Sequence, residues 1–249
     1  MEKTKIYGHR GSMGDFPENT LLSFQKAIEQ GVEGLELDVH MTKDLEIVVI
    51  HDEMLDRTTD GTGYVKDLSL DEIKGFSAGV KFSHFQNYEE SLWSLERVPT
   101  LKEVLELLWS YDIELNIELK TDIIHYEGIE EKVLALVKKY GNDRKVIYSS
   151  FHLPTLIRMK RIDSSANIAW LLDQQIMLAQ DYIDSFELEG LHLSKRIVMD
   201  NRNLNEIYKK IRVWTVNDSK EINQLLDFGV NAIMTNFPEK ALLIRNERK

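Results

Sequence analysis

The 249-residue chain has no cysteine. That excludes disulfides, zinc–thiolate centres and cysteine nucleophiles together. Basic charge is in short supply: 31 Lys and Arg against 42 Asp and Glu leave a formal net charge of −11. A general nucleic-acid binder needs a basic face for the phosphate backbone, so that class is set aside. No apolar run approaches the roughly 18 residues of a membrane span. No apolar secretory core precedes the first strand in MEKTKIYGHRG. The expectation is a cytoplasmic protein without stable membrane insertion. Internal repeats and low-complexity segments are missing, and no Gly-rich phosphate loop follows a strand, as a dinucleotide-binding open sheet would have.

What remains is a regular alternation. Hydrophobic residues make up 43% of the chain, enough for a full core. Short β-branched runs alternate with segments of helical spacing: KIYGH, then TLLSFQKAIEQG, then GLELDVH. After an interruption come TLKEVLELLWS and ELNIELK, EGIEEKVLALVKKYG and KVIYSSF, LPTLIRMKRI and NIAWLLD. MLAQDYIDSFEL and GLHLS, NLNEIYKKI and RVWTVN, and SKEINQLLDFG and AIMTNFP complete the series. Eight strands, each later one preceded by a helix, imply a parallel sheet. At this length the expected fold is α/β, a (β/α)8 TIM barrel forming one domain over residues 1–249. A doubly wound open sheet is the alternative.

Two pieces depart from the pattern. EIVVIHD (46–52) follows GLELDVH with only MTKDL between them, which predicts a β-hairpin extension. A turn centred on Lys43–Asp44 sets Asp38 opposite Val49 and Glu36 opposite His51. Residues 53–98 are too long for a simple loop and carry Phe76, Phe82, Phe85, Tyr88 and Trp93. They are expected to form a small insertion at one end of the barrel.

Chemistry concentrates at strand ends. In GLELDVH, Glu36 and Asp38 share one face because residues two apart point the same way. ELNIELK repeats the device with Glu118 and Lys120. His9 and Arg10 end the first strand, and the hairpin returns His51. Taken singly these are ordinary residues; an acid at a strand end is usually just solvated. Three carboxylates converging on one barrel rim repel one another and are costly to desolvate. A hard divalent cation, Mg²⁺ or Ca²⁺, resolves this with oxygen ligands alone.

The pieces GHRG, PENT, ELDVHMTKD, IVVIHD, RTTDGTG, RVPTLKEVLEL, IELK, SSF and VWTVN run in order along nearly the whole chain. In them the sequence resembles the glycerophosphodiester phosphodiesterase family, whose fold is a (β/α)8 barrel with a small insertion. The resemblance implies hydrolysis of a small-molecule glycerophosphodiester to sn-glycerol 3-phosphate and an alcohol. It implies that Glu36, Asp38 and Glu118 hold one divalent cation and that His9 and His51 are general acid and base. Arg10 and Lys120 would bind phosphate, and Trp214 would line the glycerol side. Which histidine is the acid, and whether a glycerol hydroxyl or water attacks, stay open. Two departures stand out: Leu45 where the hairpin turn often has Gly, and Asn236 where many members have Asp.

Other residues read as structure. Asn19–Thr20 suits a helix N-cap. His192 lies on a strand ending near the rim and is a possible substrate contact. His84, His125 and His152 read as surface residues. A lysophospholipase D acting at the same rim and a non-catalytic phosphodiester-binding barrel are the competing functions. Nothing in the sequence indicates an oligomeric state.

Overall fold

The computed structural model describes residues 3–200 and 202–248. Eight parallel strands close into a barrel: β1 (Lys5–His9), β2 (Gly34–Met41), β4 (Glu114–Leu119), β5 (Val146–Ser150), β6 (Asn167–Leu172), β7 (Gly190–Ser194), β8 (Ile211–Trp214) and β9 (Ala232–Thr235). Their order is β1-β9-β8-β7-β6-β5-β4-β2, and the pairing of β1 with β2 closes the ring. β3 (Ile47–Val49) adds to β2 in antiparallel sense, as the hairpin.

Period-two alternation decides what each strand residue meets. Leu35, Leu37 and Val39 of β2 and Leu115, Ile117 and Leu119 of β4 join the main core between sheet and helices. Their neighbours Glu36, Asp38, Asn116 and Glu118 therefore face the barrel axis. At the opposite end from the strand C-termini the axis is closed by polar groups. Tyr7 Oη donates to Glu114, Lys5 Nζ donates to the same carboxylate at 2.6 Å, and fully buried Arg212 forks onto Glu189 at 2.5 and 2.9 Å.

Burial opposes ionisation of Glu189, but the bonds and charge of Arg212 outweigh it and hold the carboxyl at about 2, against an ordinary 4.5. A depressed carboxyl stabilises the fold above its unfolded value, and that stability is lost as pH falls through the folded one. The pair is thus expected to lose about 3 kcal/mol between pH ~5 and ~2. Denaturant midpoints across that range check it: the gap between wild type and Glu189→Gln should shrink as pH falls. A constant gap would contradict the assignment.

The hairpin differs from its expected register by one residue. Val39 pairs with Val49 and Met41 with Ile47, so the loop is Lys43–Asp44–Leu45, with Leu45 donating to Thr42 O at 3.0 Å. Leu45 adopts φ 66°, the left-handed conformation for which a three-residue hairpin loop prefers Gly. Here a leucine accepts it. The continuous apolar run of β3 is explained by two-sided burial. Ile47 and Val49 join the main core, while Val48 and Ile50 join a second cluster with Leu55, Val65, Ile73, Ala78 and Val98.

That second cluster is the core of the 53–98 insertion, with short helices at Leu70–Lys74 and Glu90–Trp93. Four of its aromatic rings cluster around Trp93, which lies 5.4 Å from Tyr88 and 6.0 Å from Phe85, centroid to centroid, and 5.9 Å from Phe16 of the loop after β1. The expected helix over NLNEIYKKI is instead a run of tight i→i+3 turns over Arg202–Lys210. Among the described residues no helix is long and apolar enough to cross a membrane.

Candidate active site

The strand C-termini bring the chosen residues together. His9, Arg10, Glu36, His51, Glu118, Lys120 and Trp214 line one pocket, with Asn116, Phe151, Leu171, Thr215 and Met234. Asp38 is not on its wall but belongs to its carboxylate cluster. One oxygen each from Glu36, Asp38 and Glu118 lies within 4.8 Å of the others, and all three side chains are buried.

The carboxylate cluster is built by strand pairing. In register, β2 and β4 place Asp38 beside Glu118, and β1 places His9 beside Glu36. Burial first, then the charges of Asp38 and Glu118, push the Glu36 carboxyl well above the usual range. Burial also opposes ionisation of Asp38, but Arg10, His51 and Lys120 outweigh it and hold that group below the usual range. Asp38 Oδ1 is buried without a hydrogen-bond partner. An all-oxygen cluster whose charges conflict, with a bare carboxylate oxygen, is what a hard divalent cation satisfies.

Two cations flank the cluster. Arg10 follows β1 in the left-handed conformation, φ 51°, and Gly11 continues it at φ 85°. A side chain at Gly11 would run into Ser23, so glycine is required for this turn. The turn points the Arg10 backbone N–H at Glu36 Oε2 (2.9 Å) and its guanidinium at Glu18 (2.8 Å) and Asp38 (3.3 Å). Lys120 Nζ donates to Glu118 Oε1 at 2.9 Å.

The two histidines are each pinned at Nδ1. His9 Nδ1 meets Asn236 Oδ1 at 2.7 Å, and its Nε2 lies 3.9 Å from Glu36. Burial, then the charge of Arg10, lowers His9 to about 4, so its ring is neutral near pH 7. His51 Nδ1 meets Asp52 Oδ1 at 2.7 Å, and its Nε2 lies 3.4 Å from Lys120 Nζ. Amide and carboxylate oxygens only accept, so both rings carry hydrogen on Nδ1 and turn Nε2 to the pocket.

His51 reaches this position by a route that strand logic does not predict. Had β3 continued in its observed register, His51 would have paired with Leu37 and faced outward. The strand ends at Val49, and a bend over residues 51–53 turns the ring inward. The His51 carbonyl accepts from His40 Nε2 at 3.0 Å, and His40 Nδ1 accepts from the Tyr126 hydroxyl at 2.8 Å. His40 is buried on the same face of β2 as Glu36 and Asp38. The alternation in GLELDVH marks it, and sequence reasoning passed it over.

Glu18, Asp52 and Arg57 were also passed over, though they lie in motifs that the sequence shows. Asn19 does more than precede a cap: Nδ2 donates to Asp38 at 2.9 Å, while Thr20 caps the helix Leu21–Gln30. Asn236, noted only as a departure, is the partner of His9.

Trp214 forms the apolar side. It donates Nε1–H to His192 O at 3.0 Å and meets Phe151 edge to face at 5.6 Å. His192 is not brought to the pocket wall; it is fully buried in the barrel. His84 and His125 are exposed. His152 is half-buried, with Nδ1 3.0 Å from Thr155 Oγ1.

The chain is similar to known proteins along nearly its whole length. The chain is 39% identical over 241 residues to a glycerophosphodiester phosphodiesterase of Caldanaerobacter subterraneus subsp. tengcongensis, covering 95% of this chain and 96% of that protein. It is 38% identical over 254 residues to a glycerophosphodiester phosphodiesterase of Bacillus altitudinis, covering 99% of this chain and all of the other. Its fold superposes with a TM-score of 0.86 on an Oleispira antarctica phosphodiesterase in complex with the product sn-glycerol-3-phosphate, at 28% identity, covering 98% and 97% of the two chains. Residues 9–240 match the model of the glycerophosphoryl diester phosphodiesterase family, and the chain belongs to that family of enzymes.

Proposed function

We propose that the enzyme hydrolyses glycerophosphodiesters to sn-glycerol 3-phosphate and an alcohol, with one divalent cation and two proton-handling histidines. The observation that carries this reading is the meeting of His9 and His51 in one pocket. Both present Nε2 to that pocket, which Glu36, Glu118, Arg10 and Lys120 also line, with Asp38 completing the carboxylate cluster.

A phosphodiester is a poor electrophile because its negative charge repels nucleophiles. Arg10 and Lys120 bind and offset that charge, and more strongly so in the transition state, where it grows. Glu36, Asp38 and Glu118 would hold the cation, Mg²⁺ or Ca²⁺, which when bound supplies further charge neutralisation at the phosphoryl oxygens. One histidine, neutral with its hydrogen on Nδ1, takes at Nε2 the proton of the attacking hydroxyl or water; the other, doubly protonated as the imidazolium, gives its Nε2 proton to the leaving alkoxide. Asn236 and Asp52 hold each ring by its Nδ1–H and so keep Nε2 turned to the pocket. Trp214 and Phe151 offer an apolar wall to the carbon skeleton of the glycerol. A cysteine-free composition is compatible with a cytoplasmic setting.

A lipid substrate gains no support from the insertion, because none of its aromatic rings lines this pocket; Phe82, Phe85, Tyr88 and Trp93 pack on one another and Phe76 packs on the insertion's own core. The test is a comparison of glycerophosphocholine with a lysophosphatidylcholine of one acyl chain. Faster turnover of glycerophosphocholine, releasing choline, is expected. Preference for the lysolipid would overturn the substrate assignment.

A further inference from the structure

The RTTDGTG stretch has no part in the chemistry above, yet its first residue touches both sides of the site. Arg57 donates from Nη1 and Nη2 to the two oxygens of Glu18 at 2.7 and 2.9 Å. The same guanidinium donates from Nε and Nη2 to the two oxygens of Asp52 at 2.6 and 2.9 Å. Glu18 also accepts from Arg10 at 2.8 Å, and Asp52 accepts from His51 Nδ1 at 2.7 Å. One planar group therefore closes a continuous chain, Arg10–Glu18–Arg57–Asp52–His51. It links the loop after β1 to the bend after β3. Arg57 is not on the pocket wall and its side chain is about half exposed (47%).

We propose that Arg57 is a positioning residue, a brace that fixes the His51 ring and the Arg10 guanidinium relative to each other across the mouth. The chemistry favours this over an incidental surface pair. Arginine presents donors in a rigid fork, and here both edges of the fork are filled by carboxylates that themselves hold site residues. Glu18 is 4% exposed at its side chain, so its position is set by packing as well as by charge. Asp52 belongs to a bend with no strand ladder to hold it, so its orientation depends on Arg57. If Asp52 swings away, His51 Nδ1 loses its acceptor, and Nε2 loses its fixed direction and tautomer. The brace also ties the insertion, which supplies Arg57, to the competence of the site.

The inference rests on the phosphodiesterase reading of the pocket. The test measures kcat and KM on glycerophosphocholine for wild type, Arg57→Ala, Arg57→Lys, Asp52→Asn and the double variant Arg57→Ala/Asp52→Asn. All are assayed well below their melting temperatures. Arg57→Ala is expected to lower kcat about 10–100-fold, the scale found when a partner orienting a functional ligand is removed, with a smaller rise in KM through Arg10. Lysine, a single point donor, should restore little of this. Because Arg57 and Asp52 act through the same histidine, the double variant should be scarcely slower than Asp52→Asn alone. If Arg57→Ala does not fold, Arg57→Gln takes its place under the same criteria. The brace is overturned if Arg57→Ala lowers the melting temperature but keeps kcat within about twofold, or if the two losses multiply in the double variant. A wild-type protein inactive on glycerophosphocholine overturns the underlying reading instead, so the two failures are distinguishable.

Discussion

His9→Ala and His51→Ala are each expected to lower kcat on glycerophosphocholine by about 10²–10⁴-fold, the usual worth of a positioned proton donor or acceptor. Neither substitution removes a member of the carboxylate cluster, so both variants should still bind cation with near-wild-type affinity, measured by calorimetry. The two losses separate with the leaving group. A nitrophenol leaves readily without protonation, so the variant lacking the general acid should regain much of its rate on a nitrophenyl diester. The variant lacking the general base should not. The structure makes this comparison worth doing because the two rings are unequally supported: His51 leans on a carboxylate, His9 on the neutral amide of Asn236. If both variants keep near-wild-type rates on glycerophosphocholine, neither ring moves the proton and the acid–base assignment is wrong.

Replacing Glu36, Asp38 or Glu118 singly by Ala is expected to cost about 10²-fold or more, since loss of a bound cation removes several kcal/mol of transition-state charge stabilisation. A second measurement separates loss of metal from loss of fold. Burial and its acidic neighbours push the Glu36 carboxyl well above the usual range. Ionising it is therefore a cost to the metal-free protein. In chelator, Glu36→Gln should melt at or above the wild-type temperature. On adding Mg²⁺ or Ca²⁺, only the wild type should rise, because a ligand stabilises the state that binds it. A Glu36→Gln variant that melts well below wild type in chelator would show that this carboxylate serves the fold and not a cation.

What could be read from the sequence follows its periodicities. The eight barrel strands and the facing of Glu36, Asp38 and Glu118 depend on period two within short segments, and these local patterns are visible without coordinates. The register of the hairpin was not, because Leu45 accepts a left-handed conformation that its residue type disfavours, which lengthens the loop by one residue. His51 still arrives at the rim, through a bend after Val49 that no strand pattern encodes. The braces were hidden for a different reason. Glu18 and Arg57 are 39 positions apart, and His9 and Asn236 are 227 apart. Each residue is unremarkable until the fold sets it beside its partner. Arg212 shows the same limit: an arginine inside IRVW becomes tolerable as a fully buried group only once Glu189 is beside it.

In the proposed reading the carboxylate cluster and the two histidines together make a cation-dependent glycerophosphodiester hydrolase. The most direct measurement takes purified protein through excess chelator, then adds Mg²⁺ or Ca²⁺, and follows glycerophosphocholine by phosphorus resonance and choline release. Activity should vanish in chelator and return with the cation, with sn-glycerol 3-phosphate and choline as products. Full activity in excess chelator, or release of phosphocholine in place of choline, would contradict it.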